Sequence, residues 1–394
     1  METYVNPVTS NLNVYPMERL YTIKKSLLQE GKTLYDFGVG DPKIPLWKPI
    51  LEAVKGSVDD ALGYPSIGGI SSLVVAQKNY LKKRFSFDLD PQKTGCVPTR
   101  GSKEAIFHIA LSLVGRNGKK TIAYPQPGYP VYKSSALFAG GKAHPIYLSE
   151  KNSYLVEPWN FEPEVIKDLS ALWVNYPHNP TGKSVDKSYW EKLIHWCQTN
   201  DVILLSDECY NDLYDHKFDE EGLEHLKPIT PLSLSTDKVL SFFSLSKRSG
   251  FTGLRAGFIA GDKNILDPHI RARANFGLSS PVCIQRGAAL AWQDDKHVED
   301  RRKILSKRMA IAYPILKDLG MMKKKPDVPF YIWAKIPEHI KQDDITFCLN
   351  LAKKGVITTP AKWLGSQENN YLRFSLTQDE NKILEAFEIL KTLL

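Results

Sequence analysis

The chain has 394 residues, of which 42% are hydrophobic, 11% aromatic and 24% charged, a mix that excludes a disordered or fibrous protein. At about 150 residues per domain the length suits roughly two to three lobes, able to bury a core without staples. Lys and Arg (52) exceed Asp and Glu (44) by 8, but the basic runs at 82–84, 119–120 and 323–325 are short and scattered, so they read as solvated faces rather than a nucleic-acid stripe. The modest excess suits anionic substrates.

Cys96, Cys197, Cys209, Cys283 and Cys348 are odd in number and never closer than a dozen residues. Neither a disulfide framework nor a metal-ligand set follows from that spacing, and a reducing compartment does. The polar start METYVNPVTSNLNVYPMERL and the lack of any apolar run of about 18 residues predict a cytoplasmic protein without a membrane anchor.

In chain order, Gly40-Asp41-Pro42 reads as a turn before a large lobe. Short apolar runs then alternate with helical patterns, which predicts an α/β fold. Strands are expected at Thr121–Tyr124, Ala143–Leu148, Ala171–Asn175, Val202–Ser206, Val239–Leu245 and Leu254–Ala260. Several are apolar on both faces, as central strands covered by helices on each side must be. Helices are expected at Lys103–Val114, Lys187–Gln198 and Val298–Leu319, the last long enough to bridge two lobes, with a kink at Pro314. From Pro326 onward FYIWAKI, ITFCLNLAKKG, YLRFSL and a closing helix predict a small α+β domain. The expected division is 46–290 for the large domain and 1–45 with 291–394 for the small one.

Chemistry-bearing residues fall just beyond the apolar runs. Asp207 follows VILLS, at the carboxyl end of a buried strand, where open α/β sheets bind ligands; the plainer reading is a helix cap. NYPHNPTG (175–182) holds a tight loop at another strand end. Lys247 lies just past VLSFFSLS, where an amine is partly desolvated and becomes reactive. Arg255 sits between glycines in GLRAG, and Gly101-Ser102 opens a helix whose free amides suit an anion. No Walker motif, G-x-G-x-x-G, H-E-x-x-H or G-x-S-x-G is present, which removes P-loop, Rossmann, zincin and α/β-hydrolase chemistry. An amine, a carboxylate, an arginine and a phosphate-ready helix start together fit pyridoxal phosphate chemistry.

From about Tyr15 to Phe374 the chain resembles class I aminotransferases of the fold-type I pyridoxal-phosphate superfamily, through NYPHNPTG, SDECY, SLSKRSGFTGLRAG and YLRFS in that order. The resemblance implies a large domain with a mostly parallel central sheet covered by helices, plus the small domain. It implies that Lys247 forms the Schiff base with pyridoxal 5′-phosphate, that Asp207 holds the pyridine nitrogen protonated, and that Asn179 and Tyr210 bond the phenolic oxygen. Tyr129 would stack on the ring. Gly101, Ser102, Lys103, Ser244 and Arg255 would take the phosphate, with Tyr64 supplied by the second subunit of a homodimer. Arg373 would grip the substrate α-carboxylate beside Gly40. The products of the expected reaction are a 2-oxo acid and a transferred amino group.

Within that family VYPMERL (14–20), GSKEAIF (101–107), SDECYNDLYD (206–215), SLSKRSGFTGLRAGFIAGD (244–262) and AWQDDKHVEDRR (291–302) resemble N-succinyldiaminopimelate aminotransferases more than the aspartate or aromatic enzymes. This implies transfer between glutamate and the 2-oxo precursor of N-succinyl-LL-2,6-diaminopimelate, on the way to lysine and diaminopimelate. The extra carboxylates of such a substrate predict a second cationic anchor, for which Arg19, Arg271 and Arg273 are candidates. An aspartate- or aromatic-type aminotransferase, a lyase on the same scaffold, and a non-catalytic cofactor-binding module are the alternatives. Arg373 argues against α-decarboxylation, because it would anchor the carboxylate that must leave.

Overall fold

The apolar runs become the strands of one seven-stranded sheet. A computed structural model describes residues 4–12, 16–60, 63–277 and 279–394 of the chain; Val14 and Tyr15 of the VYPMERL string lie outside them. In chain order the strands are β1 (Tyr35–Asp36), β2 (Thr94–Thr99), β3 (Thr121–Gln126), β4 (Lys142–Tyr147), β5 (Leu169–Val174), β6 (Ile203–Asp207), β7 (Val239–Ser244) and β8 (Gly257–Asp262). They continue with β9 (Tyr331–Lys335), β10 (Val356–Ile357), β11 (Thr359–Pro360) and β12 (Tyr371–Ser375).

The large sheet has the order β2-β8-β7-β6-β5-β3-β4. Strands β4, β3, β5, β6 and β7 pair in parallel, and β8 is antiparallel to both β7 and β2. The strand β2 therefore points the same way as β7, and only β8 runs backwards. Six carboxyl ends and the amino end of β8 consequently share one edge of the sheet, the edge where α/β sheets bind ligands. Asp207 is the last residue of β6, and the segments that follow β2, β3, β5 and β7 and the one that precedes β8 carry Gly101, Tyr129, Asn179, Lys247 and Arg255.

Central strands β5, β6 and β7 are buried at every residue, as parallel strands with both faces covered must be. Trp173 in β5 is fully buried and stacks on Tyr132, with centroids 4.9 Å apart, while Phe242 packs 4.8 Å away. That aromatic column immobilises Tyr132 beneath the sheet edge. The expected strands begin and end within three residues of the observed ones. The strand β2 was not expected: TGCVPT contains Gly95 and Pro98 and has no apolar run, and its place at the sheet edge is what tolerates the proline.

A second sheet, β11-β12-β9, is antiparallel, and β12 lies in its middle, so that Arg373 faces Thr359 on one side and Trp333 on the other. The helices Asp344–Lys353 and Glu380–Lys391 pack with it. Phe37 joins the same core, with its ring centroid 5.8 Å from Phe374 and 6.0 Å from Phe387. Tyr35–Asp36 pairs in parallel with Val356–Ile357, and Ser375 donates its N–H to Phe37 O at 2.8 Å. The N-terminal segment thus builds onto the C-terminal sheet.

The helix Lys296–Asp318 continues past Pro314. It links the two sheets through buried arginines: Arg301 donates to Ile44 O and Pro45 O, Arg302 pairs with Asp219, and Arg308 donates to Leu376 O. Among the described residues no helix is long and apolar enough to cross a membrane.

Candidate active site

The strand ends enclose a cleft of about 350 Å³ lined by Gly40, Ser102, Lys103, Tyr129, Asn179, Asp207, Tyr210, Ser244, Lys247, Arg255, Tyr331 and Arg373, among others. Nearly every residue expected from the sequence meets there. Lys247 lies on a one-turn helix, Leu245–Arg248, that begins directly after β7 and is capped by the Ser244 hydroxyl, which accepts from Ser246 N at 3.1 Å. The Lys247 amine donates to Gly40 O. Burial depresses its pKa to about 8, against the opposing pull of Cys209 and Asp41, and Arg373 and Arg255 push it down further. An amine in that state is a nucleophile and base at near-neutral pH.

Asp207 ends β6, only 4% exposed. Burial raises its pKa, while hydrogen bonds from Cys209 and Tyr132 and the nearby Lys247 charge hold it down. Tyr132 Oη donates to Oδ2 at 2.7 Å, and the Cys209 N–H donates to Oδ1 at 3.3 Å. A buried carboxylate in this tension is stabilised by a cationic ring nitrogen placed against it. Asn175 Nδ2 donates to Asp207 O at 2.8 Å and Asn175 Oδ1 accepts from Asn179 N at 2.9 Å, which ties the NYPHNPTG loop to the end of β6.

Arg373, also 4% exposed, donates to Asn179 Oδ1 at 3.0 Å, to Gly38 O at 2.7 Å and to Thr359 Oγ1 at 3.3 Å. Its guanidinium lies 4.8 Å from the centroid of the Tyr331 ring. Its Nε is buried without a hydrogen-bond partner, an unsatisfied donor that a bound carboxylate would satisfy. Tyr210 Oη and Tyr331 Oη are 3.0 Å apart. Tyr331 Oη also fills the space where a Cβ on Gly40 would stand, so glycine is required there.

At the other end of the cleft Gly101 has φ +75° and precedes the helix Ser102–Leu113; a Cβ there would strike the Arg255 guanidinium. Arg255 itself holds φ +60°, a left-handed backbone costly for a side chain of this size, and is fixed by Ser246 Oγ at 3.1 Å and Thr252 O at 3.0 Å. Ser102 Oγ is 3.0 Å from Cys209 Sγ. Burial, then Arg255, lowers the Lys103 pKa. Two cations beside a helix N-terminus form an anion cradle.

Three expected residues lie elsewhere. Tyr64 is fully exposed and lines no part of this chain's cleft. Arg273 is completely buried on the helix Lys263–Phe276, paired with Glu104 at 2.6 Å, and Arg271 on the same helix lines neither this cleft nor the neighbouring cavity. Neither arginine therefore lines this chain's cleft; an amphipathic helix pattern did not reveal that one of its charges turns inward to meet Glu104. Two residues of the site were missed. Tyr132 stands three residues past Tyr129 in PGYPVY, and Tyr331 sits in the apolar run FYIWAK, so both read as core.

Residues 32–390 match the family described as "Aminotransferase class I and II". The chain belongs to the class I and II aminotransferases. The cofactor of this family is pyridoxal 5′-phosphate. A relative from Aquifex aeolicus named LL-diaminopimelate aminotransferase is 32% identical over 373 residues, 94% of each chain. The crystal structure of an aminotransferase from Neisseria meningitidis superposes with a TM-score of 0.87 at 29% identity, covering 99% of this aminotransferase and 100% of the other. A structure described as a probable N-succinyldiaminopimelate aminotransferase from Thermus thermophilus, 23% identical with a TM-score of 0.85 over 96% of this chain and all of the other, shares the fold.

Proposed function

We propose that this aminotransferase moves an amino group between glutamate and a diaminopimelate-type amino acid, at a cofactor tethered to Lys247. The observation that carries the reading is the Lys247 amine, depressed to about 8 and buried in one cleft with a strand-end carboxylate and a guanidinium whose Nε lacks a partner. The residues fit pyridoxal phosphate. The cradle of Gly101, Ser102, Lys103, Ser244 and Arg255 would take the phosphate, Asp207 the ring nitrogen, and Asn179 and Tyr210 the phenolic oxygen, with Tyr129 on the ring. When bound, the cofactor supplies an electron sink for the pair left when the substrate loses its Cα proton.

This chain's groups do the rest. Asp207, which accepts from Tyr132 and the Cys209 amide, would hold a proton on the ring nitrogen. Asn179 has its carbonyl oxygen committed to Arg373, which leaves its amide NH₂ as the donor end. Arg373 pairs with the α-carboxylate in a planar geometry that lysine could not match. Once substrate has displaced it, the neutral Lys247 amine takes the Cα proton as general base and returns it as general acid. In this reading residues 46–290 form the cofactor-bearing domain, 1–45 with 291–394 the small one, and Tyr64 reaches the site of the partner in a homodimer.

The name of the Aquifex relative favours free LL-diaminopimelate as the amino acid; the strings SLSKRS and AWQDDKHVEDRR support the N-succinylated form as a second reading. The test is to mix the holoenzyme with a panel of amino acids and follow the visible absorption of the cofactor. Glutamate and a diaminopimelate substrate are expected to change it within the dead time or seconds. If both fail while aspartate or an aromatic amino acid works, the substrate assignment falls.

A further inference from the structure

His178 sits in the NYPHNPTG loop beside Asn179, is 1% exposed, and is not itself a lining residue of the cleft. Its two ring nitrogens face different loops. Nδ1 is 2.9 Å from Thr181 Oγ1 in its own loop, and Nε2 is 3.1 Å from Pro127 O in the PGYP loop, two residues before Tyr129. A carbonyl oxygen only accepts, so Nε2 bears a proton. Burial lowers the pKa of the ring to about 4, against the opposing pull of the Pro127 bond, and so keeps it neutral near pH 7. Nδ1 is then the acceptor for the Thr181 hydroxyl, whose oxygen in turn accepts from Lys183 N at 3.2 Å. The donors run in one direction, from Lys183 through Thr181 and His178 to Pro127.

The backbone around the ring is held as well: His178 N donates to Lys183 O at 2.8 Å, and Gly182 N donates to His178 O at 2.7 Å. Each loop is also tied to the C-terminal part of the chain. Gly128 N donates to Leu364 O at 3.1 Å, Val328 N to Gly182 O at 3.1 Å, and Ser184 N to Asp327 Oδ2 at 2.9 Å. The imidazole therefore cross-links the loop that carries Tyr129 to the loop that carries Asn179, whose Oδ1 holds Arg373. Resting on the cofactor placement proposed above, we infer that His178 is a positioning residue, whose bond to Pro127 sets the separation between the ring-covering Tyr129 and the loop that meets the phenolic oxygen. Through Asn179 the same bond fixes the ring relative to the guanidinium that binds the α-carboxylate. A planar ring held at both nitrogens cannot turn without breaking a bond, which is how a buried side chain keeps two loops in register.

The experiment compares wild-type holoenzyme with His178→Gln and His178→Asn. A glutamine amide reaches as far as Nε2 and can donate to Pro127 O, whereas an asparagine amide reaches only as far as Nδ1 and the Thr181 hydroxyl. His178→Asn should weaken the visible circular dichroism of the cofactor, release it about tenfold more readily on dialysis, and lower kcat/KM about tenfold for every amino acid accepted. His178→Gln should stay within about threefold of the wild type in each measure. An asparagine variant that matches the wild type, or a glutamine variant no better than asparagine, overturns the inference. If either variant fails to fold, NMR of the ring nitrogens in the wild-type protein decides: His178 should show a protonated Nε2 and a bare Nδ1 between about pH 6 and 8, and the other tautomer or a charged ring overturns the cross-link. Asn179→Ala tests the cofactor placement separately, through the pH midpoint of the visible absorption. An unmoved midpoint fells that placement and this inference with it, whereas a moved midpoint beside an unaltered His178→Asn fells this inference alone.

Discussion

Tyr132 Oη donates a 2.7 Å hydrogen bond to Asp207 Oδ2, and the same ring stacks on the fully buried Trp173 and meets Tyr129 edge-on at 5.8 Å. One side chain thus connects the carboxylate proposed to face the ring nitrogen with the tyrosine proposed to cover the ring. A hydrogen bond to a charged group contributes about 1.5–3 kcal/mol. Tyr132→Phe keeps the stack and removes only the donor, so it should raise the Asp207 pKa further and lower kcat/KM by roughly tenfold or more. A shift in the pH dependence of the cofactor's visible absorption is the accompanying signature, with a loss of thermal stability no larger than that one bond accounts for.

On the proposed reading, Lys247→Ala removes the covalent tether and the base together. The variant should still bind the cofactor through the phosphate cradle and lose turnover by several powers of ten. Absorption spectroscopy of the dialysed protein, beside a coupled assay, separates the two effects. Substantial remaining turnover would contradict the role of this amine.

The depressed pKa of Lys247 has a defined sign. Below about pH 8 the amine is protonated and cannot attack an aldehyde; above it the neutral form dominates, well short of the ordinary value of 10.5. The rate at which apoenzyme combines with pyridoxal phosphate should therefore rise through pH 7 and level off above about 8. A rate that keeps climbing towards pH 10 would show an unperturbed lysine.

Arg373→Lys retains the charge but loses the fork, and it leaves Asn179 Oδ1 and Gly38 O without their donors. We expect kcat/KM for every amino acid to fall by about tenfold to a hundredfold, mainly through KM, because the lost contact is to the carboxylate common to all of them. Steady-state kinetics with glutamate and a diaminopimelate substrate check this. An effect confined to one substrate would place Arg373 at the distal end instead.

Arg273 pairs with Glu104 at 2.6 Å and has no exposed surface. Removing one partner of such a pair strands a buried charge, and Arg273→Ala should cost about 3–5 kcal/mol of stability in urea unfolding. The protein that remains folded should keep its relative preference among amino acids. A change in substrate preference without loss of stability would restore this arginine as a substrate anchor.

Local pattern and motif decided much of this protein. Runs such as VILLS and VLSFFS read as strands covered on both faces, and Asp207, Lys247 and Arg373 each lie at or beside such a run, where chemistry is visible as an interruption of apolar sequence. Tyr132 and Tyr331 interrupt nothing. A tyrosine among apolar residues has the same pattern whether its hydroxyl meets Asp207, another tyrosine or water, so only packing could assign it. The edge strand at Thr94–Thr99 escaped for a related reason: it exists through its pairing with β8, not through its own side chains. Arg273 shows the converse, a charge whose helical position suggests solvent but which an acid from a distant helix draws inward.

The sequence by itself determined the α/β architecture, the family, and the lysine and acid proposed to serve the cofactor, because these depend on periodicity and on residue types at fixed spacing. Tertiary structure alone decided which arginines and tyrosines meet at the cleft: Arg255 and Arg373 line it, Arg273 pairs with Glu104 away from it, and Tyr132 and Tyr331 bond within it. The physical reason is that burial, hydrogen-bond partners and local field arise between segments far apart in the chain, and no window of residues contains them.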